Sequence, residues 1–158
     1  MVETYRKPYF DSSVFIAWIK GEVIKGIERG VVAGSILTVA QHGDFQIYTS
    51  ALTLAEVHKL RGGERLPSNL GDRILAYFEH DFIRIVDVDR NIGEQAHKKC
   101  REHGIYPNDA IHLVCAMKAG CEVLLAWDSR FNKVKEPTIR IEEPQMLPRQ
   151  VRLDELTQ

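Results

Sequence analysis

Short apolar runs alternate with longer segments of helical period along almost the whole chain. Pro8 to Phe10 predicts a strand ending at Asp11, and Ser12 or Ser13 offers an N-cap hydroxyl for a helix from Val14 to Lys20. Between Glu22 and Gln41, the residues Val23, Ile24, Ile27, Val31, Ile36 and Val39 recur at roughly helical spacing and predict one long helix. Gly26, Gly30 and Gly34 put small residues on one of its faces, each weakening an interior position by about 1 kcal/mol against Ala. Phe45 to Thr49 predicts a strand, with Ser50 capping a helix from Leu52 to Arg61. A loop from Gly62 to Leu70 precedes a helix from Gly71 to His80 and a strand from Phe82 to Val86. Asp89 opens a polar helix to His103, stopped by Gly104 and Pro107, and Asn108 starts the most apolar helix, to Ala119. Val123 to Ala126 and Thr138 to Ile141 predict the last strands.

Strands separated by helices imply an α/β fold with a parallel sheet covered on both faces. The 158 residues suit one domain, with residues 1 to 141 as its body. Residues 142 to 158, with Pro144, Pro148 and mixed charge, form a C-terminal extension of that domain or a mobile tail. A 44% hydrophobic and 27% charged composition excludes a disordered chain. The apolar runs are too short for a membrane span and the N-terminus lacks an apolar signal core, so a cytoplasmic protein with no membrane partner is expected. Three cysteines, Cys100, Cys115 and Cys121, fit reduced thiols better than a disulfide framework.

Four acids change the picture. Asp11, Glu56, Asp109 and Asp128 each lie where an apolar segment meets a helix or a turn, in YFDSSVFI, SALTLAEVHKL, YPNDAIHLVCA and LLAWDSRF. Open parallel sheets place ligands at the carboxyl ends of their strands. Carboxylates crowded there raise one another's pKa unless a positive charge neutralises them, and a hard divalent cation such as Mg²⁺ or Mn²⁺ suits oxygen ligands. Each acid also has a plain local explanation. Asp11 can cap a helix, Glu56 can be solvated, Asp109 can favour a helix dipole by about 0.3–1 kcal/mol, and Asp128 can begin a turn. The ordered set of four is what points to chemistry. The formal net charge of -1 becomes about +3 without these acids, which keeps nucleic acid open as a substrate.

The motifs together resemble the PIN domains, in particular the VapC-type toxin ribonucleases. They are D-[ST]-[SN]-hydrophobic at Asp11 to Val14, an acid on the third helix at Glu56, D-A-x-x-x-x-x-A from Asp109 to Ala116, and the strand-turn around Asp128. The resemblance covers roughly residues 8 to 135. It implies a three-layer α/β/α fold and a Mg²⁺- or Mn²⁺-dependent endoribonuclease whose metal pocket is Asp11, Glu56, Asp109 and Asp128. It also implies a cognate antitoxin, a homodimer, and RNA products ending in 5′-phosphate and 3′-hydroxyl. Ser13, Asn108 and Arg130 stand beside the acids as candidates to contact them or the substrate. Two positions depart from the family pattern. Ala126 replaces a frequent Thr or Ser, and Arg130 stands where a further acid is common. The glycine-spaced helix from Glu22 to Gln41 is the candidate for part of the dimer or partner surface.

Other features weigh less. His97, Cys100 and His103 on one helix read as a polar face rather than a zinc site. His58 and His112 neighbour acids but are expected mainly to pack or be solvated. Lys59, Arg61 and Arg65 are candidates for RNA backbone contact, and Trp18 and Trp127 for base stacking beside the pocket. A dehalogenase-type phosphatase needs a second acid where Ser13 stands, and a receiver domain needs paired acids that are missing. The remaining alternatives are a PIN-fold RNA-binding or regulatory module and an RNA-processing nuclease without an antitoxin.

Overall fold

The computed structural model describes residues 4–58 and 66–148. In chain order, β1 (Pro8–Phe10) leads into α1 (Ser12–Lys20), then β2 (Val23–Ile24), β3 (Ile27–Glu28) and α2 (Arg29–Gln41). Next come β4 (Ile47–Ser50), α3 (Ala51–Glu56), α4 (Ser68–Tyr77) and β5 (Ile83–Val86). The chain continues through α5 (Arg90–His103), α6 (Pro107–Lys118), β6 (Val123–Leu125), a 3₁₀ turn (Ser129–Lys133) and β7 (Arg140–Glu142). Five strands form one parallel sheet in the order β5-β4-β1-β6-β7, and β2 and β3 make a separate antiparallel hairpin.

The strand residues alternate between two apolar layers. Phe10, Val123 and Leu125 pack with Phe15, Ile36 and Leu37 on one face. Tyr9 and Leu124 pack with Ile92, Leu113 and Ala116 on the other. Both faces are therefore covered, giving the three-layer α/β/α arrangement expected of near-continuous apolar strands. The chain starts at the centre of the sheet, winds to one edge through β4 and β5, and returns beside β1 as β6. The reversal of direction falls between β1 and β6, and such a switch point leaves a crevice at the carboxyl strand ends. Phe10 pairs with Leu125 there, and the Asp11 amide donates to the Leu125 carbonyl at 3.1 Å.

The long helix expected from Glu22 to Gln41 is instead a hairpin followed by a shorter helix. Lys25 (φ 51°) and Gly26 (φ 78°) both take left-handed backbone, which reverses the chain tightly between β2 and β3. Spacing alone did not expose this, because Val23, Ile24 and Ile27 fit a helical period as readily as two short strands. The small-residue face is also spent within the domain. Gly30 faces α1, where an added Cβ would lie 2.8 Å from both the Ala17 carbonyl oxygen and the Gly21 Cα, and Gly34 faces Trp18. These glycines admit the α1–α2 contact and are not a free dimer face.

Gly30→Ala should therefore destabilise the fold. Backbone atoms cannot step aside as a flexible side chain can, so overpacking of about 1–3 kcal/mol outweighs the helix-propensity gain of about 1 kcal/mol. A net loss of about 1 kcal/mol in urea unfolding is the expected result, and a variant as stable as the parent would contradict this packing.

Three boundaries also move. The cap of α1 is Asp11 itself, whose side chain accepts from the Ser12 amide, rather than Ser12 or Ser13. Ser50 holds the N-cap position of α3 without a side-chain capping bond, and α3 stops at Glu56 well short of Arg61. Helix α4 begins at Ser68, with Pro67 at the N-cap, so the loop expected to reach Leu70 ends earlier. The beginning of the C-terminal extension packs back on the domain. Leu147 is buried and its amide donates to Ser35 Oγ at 3.0 Å, while the Gln145 amide donates to the Tyr5 hydroxyl. Among the described residues no helix is long and apolar enough to cross a membrane.

Candidate metal centre

Asp11 and Asp128 sit at the switch point because each begins a local structure just past a central strand. Asp11 follows β1, and its two oxygens accept from the Ser12 amide and the Ser13 hydroxyl, each at 2.9 Å. Asp128 lies beyond β6 and caps the 3₁₀ turn, accepting from the Arg130 amide at 2.8 Å. The plain local explanations thus hold for both, and they also fix where both carboxylates stand. Asp109 lies in the first turn of α6 and is 1% exposed. Glu56 is the last residue of α3.

Two basic side chains link the four acids in two pairs. The Arg130 guanidinium Nη2 is 2.6 Å from Asp128 and 3.3 Å from Asp109, and lies 5.5 Å from the Tyr106 ring centroid. Fully buried His112 places Nε2 at 2.7 Å from Glu56 and 3.4 Å from Asp11. A carboxylate only accepts, so Nε2 carries the hydrogen toward Glu56. In the neutral ring Nδ1 is then an acceptor, and it lies 2.7 Å from the buried Tyr9 hydroxyl.

The electrostatics differ from acid to acid. Burial pushes Asp109 up to about 6, with the Asp11 and Asp128 charges adding to the rise and Arg130 opposing it. Burial works the same way on Glu56, but hydrogen bonds from His112, Asn108 and Ser12 and the His112 charge outweigh it and lower its pKa. Burial disfavours charge on His112, yet the Glu56 bond and the Asp11, Glu56 and Asp109 charges raise its pKa overall. Asp109 Oδ2 is buried without a hydrogen-bond partner. An acceptor desolvated in that way suits the oxygen-ligand preference of Mg²⁺ or Mn²⁺, although here Arg130 lies 3.3 Å from the other Asp109 oxygen and no three of the four acids have ligand atoms within 4.8 Å of one another. The residues present fit such an ion.

Ser13 and Arg130 contact the acids directly, Asn108 contributes to the environment of Glu56, and Ala126 is buried without a hydroxyl to offer. His112 and Tyr9 are the residues that sequence reasoning undervalued. Asp109 and His112 stand three apart on one helix, so they share a face, and that spacing was the available signal. His58 is exposed and bonds the Ala55 carbonyl. Trp18 packs against Tyr77 in the helical layer, with ring centroids 4.6 Å apart, rather than beside the pocket. Lys59, Arg61 and Arg65 lie outside the described residues.

A second cluster lies on the far end of α5. Glu102, His103 and Glu136 are the one group of three such residues, among those described, whose ligand atoms come within 4.8 Å of one another. Lys99 bonds the same Glu136 oxygen that His103 approaches at 2.8 Å, so this is an ion-pair network fastening α5 to the segment before β7.

The family model of the PIN domain matches residues 9–137, and the chain belongs to that family. No curated protein matches it. Among solved structures, a toxin–antitoxin complex from Klebsiella pneumoniae shares 18% identity at a TM-score of 0.61, covering 89% of this chain and 99% of the other. VapC20 of Mycobacterium tuberculosis, a sarcin–ricin-loop-cleaving toxin, shares 20% at 0.59, covering 84% and 98%. VapBC2 from Rickettsia felis, bound to a DNA fragment from its promoter, shares 15% at 0.60, covering 87% and 98%. At these identities the likeness is one of fold.

Proposed function

We propose that the protein is a Mg²⁺- or Mn²⁺-dependent endoribonuclease, and the toxin of a type II toxin–antitoxin pair. The observation that carries this reading is the pairing of four carboxylates from four separate segments, Asp109 with Asp128 through Arg130 and Asp11 with Glu56 through His112, beside the switch point of the sheet. Membership of the PIN family supports a nuclease. Fold neighbours that include a toxin–antitoxin complex and a sarcin–ricin-loop-cleaving toxin support an RNA substrate and an antitoxin partner.

Asp11, Glu56, Asp109 and Asp128 would hold the ion. A divalent ion in such a pocket supplies an acidified water at neutral pH and positive charge for the phosphate and the departing oxygen. The protein's own part is orientation. Ser12 and Ser13 fix the Asp11 oxygens, and His112, steadied by Tyr9, keeps Glu56 ionised and aimed. Arg130 offers its guanidinium to a phosphate once the carboxylates have another counter-ion. Action in the cytoplasm and as a homodimer completes the proposal.

The test is incubation of purified protein, free of antitoxin, with a mixed RNA pool in Mg²⁺, Mn²⁺ or EDTA, beside Asp11→Asn. Cutting that needs metal and is lost in the variant is expected. A folded protein that binds RNA but never cuts it would leave a PIN-fold binding module, and cutting with no antitoxin gene nearby would favour RNA processing.

A further inference from the structure

A groove of about 340 Å³ opens directly beside the acids, sharing Ser13 and Asp128 with them. Its other walls come from the β2–β3 hairpin, the start of α2 and the turn after β6, and include Lys25, Arg29, Trp127 and Ser129. Two observations set it apart from an ordinary surface dent. Arg29 is held in place, its guanidinium 5.1 Å from the Trp127 ring centroid and 3.5 Å from Glu22. Lys25 stands at the first central position of the hairpin turn with φ 51°, the one non-glycine among the described residues with positive φ. Gly, Asn or Asp is the usual choice in that conformation. A lysine kept there at a backbone cost of order 1–3 kcal/mol is a pointer to function rather than to folding.

A groove continuous with the acids, lined by exposed Lys25 and by Arg29 paired with Glu22 of the same wall, has the chemistry of a backbone clamp centred on Lys25. We propose that this groove carries the RNA strand away from the acids, with Lys25 and Arg29 gripping a phosphate next to the one that is cut. The inference rests on the ribonuclease reading and adds where the strand runs. Ser129 lines the same groove and its hydroxyl can donate to a phosphate oxygen, while the Ser13 hydroxyl is already given to Asp11. Trp127 acts as the platform that holds Arg29 flat, so base stacking on that face is not its role.

The test measures binding without cleavage. Fluorescence anisotropy of a labelled single-stranded RNA oligonucleotide is followed in EDTA across a salt series, for the parent protein, Lys25→Gln, and Lys98→Gln as an exposed cation away from the groove. Each phosphate contact on a single strand contributes a slope of about −0.7 in log affinity against log salt. Lys25→Gln should lose about that much slope and bind about three- to five-fold more weakly near 0.1 M salt, while Lys98→Gln keeps the parent slope. Lys25→Gly, which relieves the backbone, should lose the same slope while melting no lower than the parent, separating charge from fold. Parent-like slopes for both Lys25 variants, with RNA still bound, would overturn the clamp and leave the groove to a protein partner. A parent protein that binds no RNA at any salt would overturn the clamp and the ribonuclease reading together.

Discussion

Asp109→Asn is expected to reduce metal-dependent RNA cleavage by on the order of 10³-fold, equivalent to about 4 kcal/mol, and yet to stabilise the metal-free protein near pH 7.5. The two effects share one cause. Burial, with one oxygen left without a partner, pushes the Asp109 pKa up to about 6; the Arg130 charge opposes the rise and the Asp11 and Asp128 charges add to it. An unfolded aspartate titrates near 3.9. Between about pH 4 and pH 6 the folded state therefore holds a proton that the unfolded state has released. Stability of the metal-free protein falls as pH rises through that window and stays lowered above it. Asparagine keeps an acceptor for Arg130 and removes the negative charge, recovering on the order of 1–2 kcal/mol at neutral pH and little at pH 4. Urea unfolding in EDTA at both pH values checks the sign. If Asp109 is one of the carboxylates that hold the ion, Mn²⁺ should then stabilise the parent more than the variant, which keeps only the other three acids. A variant less stable than the parent at pH 7.5 would mean that the Asp109 charge is already well neutralised, and the strained-pocket account would be wrong.

That pocket was partly legible in the sequence, because its acids follow from local rules. A carboxylate at the end of an apolar strand and before Ser-Ser, as at Asp11, marks a helix start whatever else it does. The strands β1, β5 and β6 were legible for the same reason, since each is a dense apolar run bounded by turn residues. What stayed hidden depends on long-range pairing. Tyr9 meets His112 across 103 residues, and Glu56 meets it across 56, so no window along the chain contains the trio. His112 consequently read as a packing residue. The hairpin at Lys25 stayed hidden for a different reason. A left-handed lysine breaks the usual turn chemistry, so the apolar spacing around it fits a helix as readily as a hairpin. Arg130 was visible as a departure from the family pattern, but only the fold turns it back onto Asp109 and Asp128.

Arg130→Gln is expected to bind Mn²⁺ about tenfold more tightly than the parent protein, with lower stability when metal is absent. Both follow from the guanidinium's position. Its Nη2 lies 2.6 Å from Asp128 and 3.3 Å from Asp109, and though burial disfavours its charge, the hydrogen bond to Asp128 and the charges of Asp109, Asp128 and Asp11 raise its pKa above the ordinary arginine value. An ion held by these carboxylates would have to displace it. Hydrogen bonds to charged groups are worth about 1.5–3 kcal/mol, and exposure of 43% of the side chain argues for the lower end. About 1.4 kcal/mol of competition corresponds to about tenfold in affinity. Glutamine keeps a hydrogen-bonding end but not the charge, so the metal-free variant leaves its carboxylates less neutralised and should melt earlier, with a larger rise on adding Mn²⁺. Titration calorimetry reads the affinity without any turnover. Unchanged affinity would mean that the guanidinium and the ion do not share ligands. If KM for RNA rose while metal affinity stayed fixed, Arg130 would be a phosphate-binding residue alone. If both changed, the same side chain would serve first as counter-ion to the empty acids and then, released by metal, as a hand for the substrate.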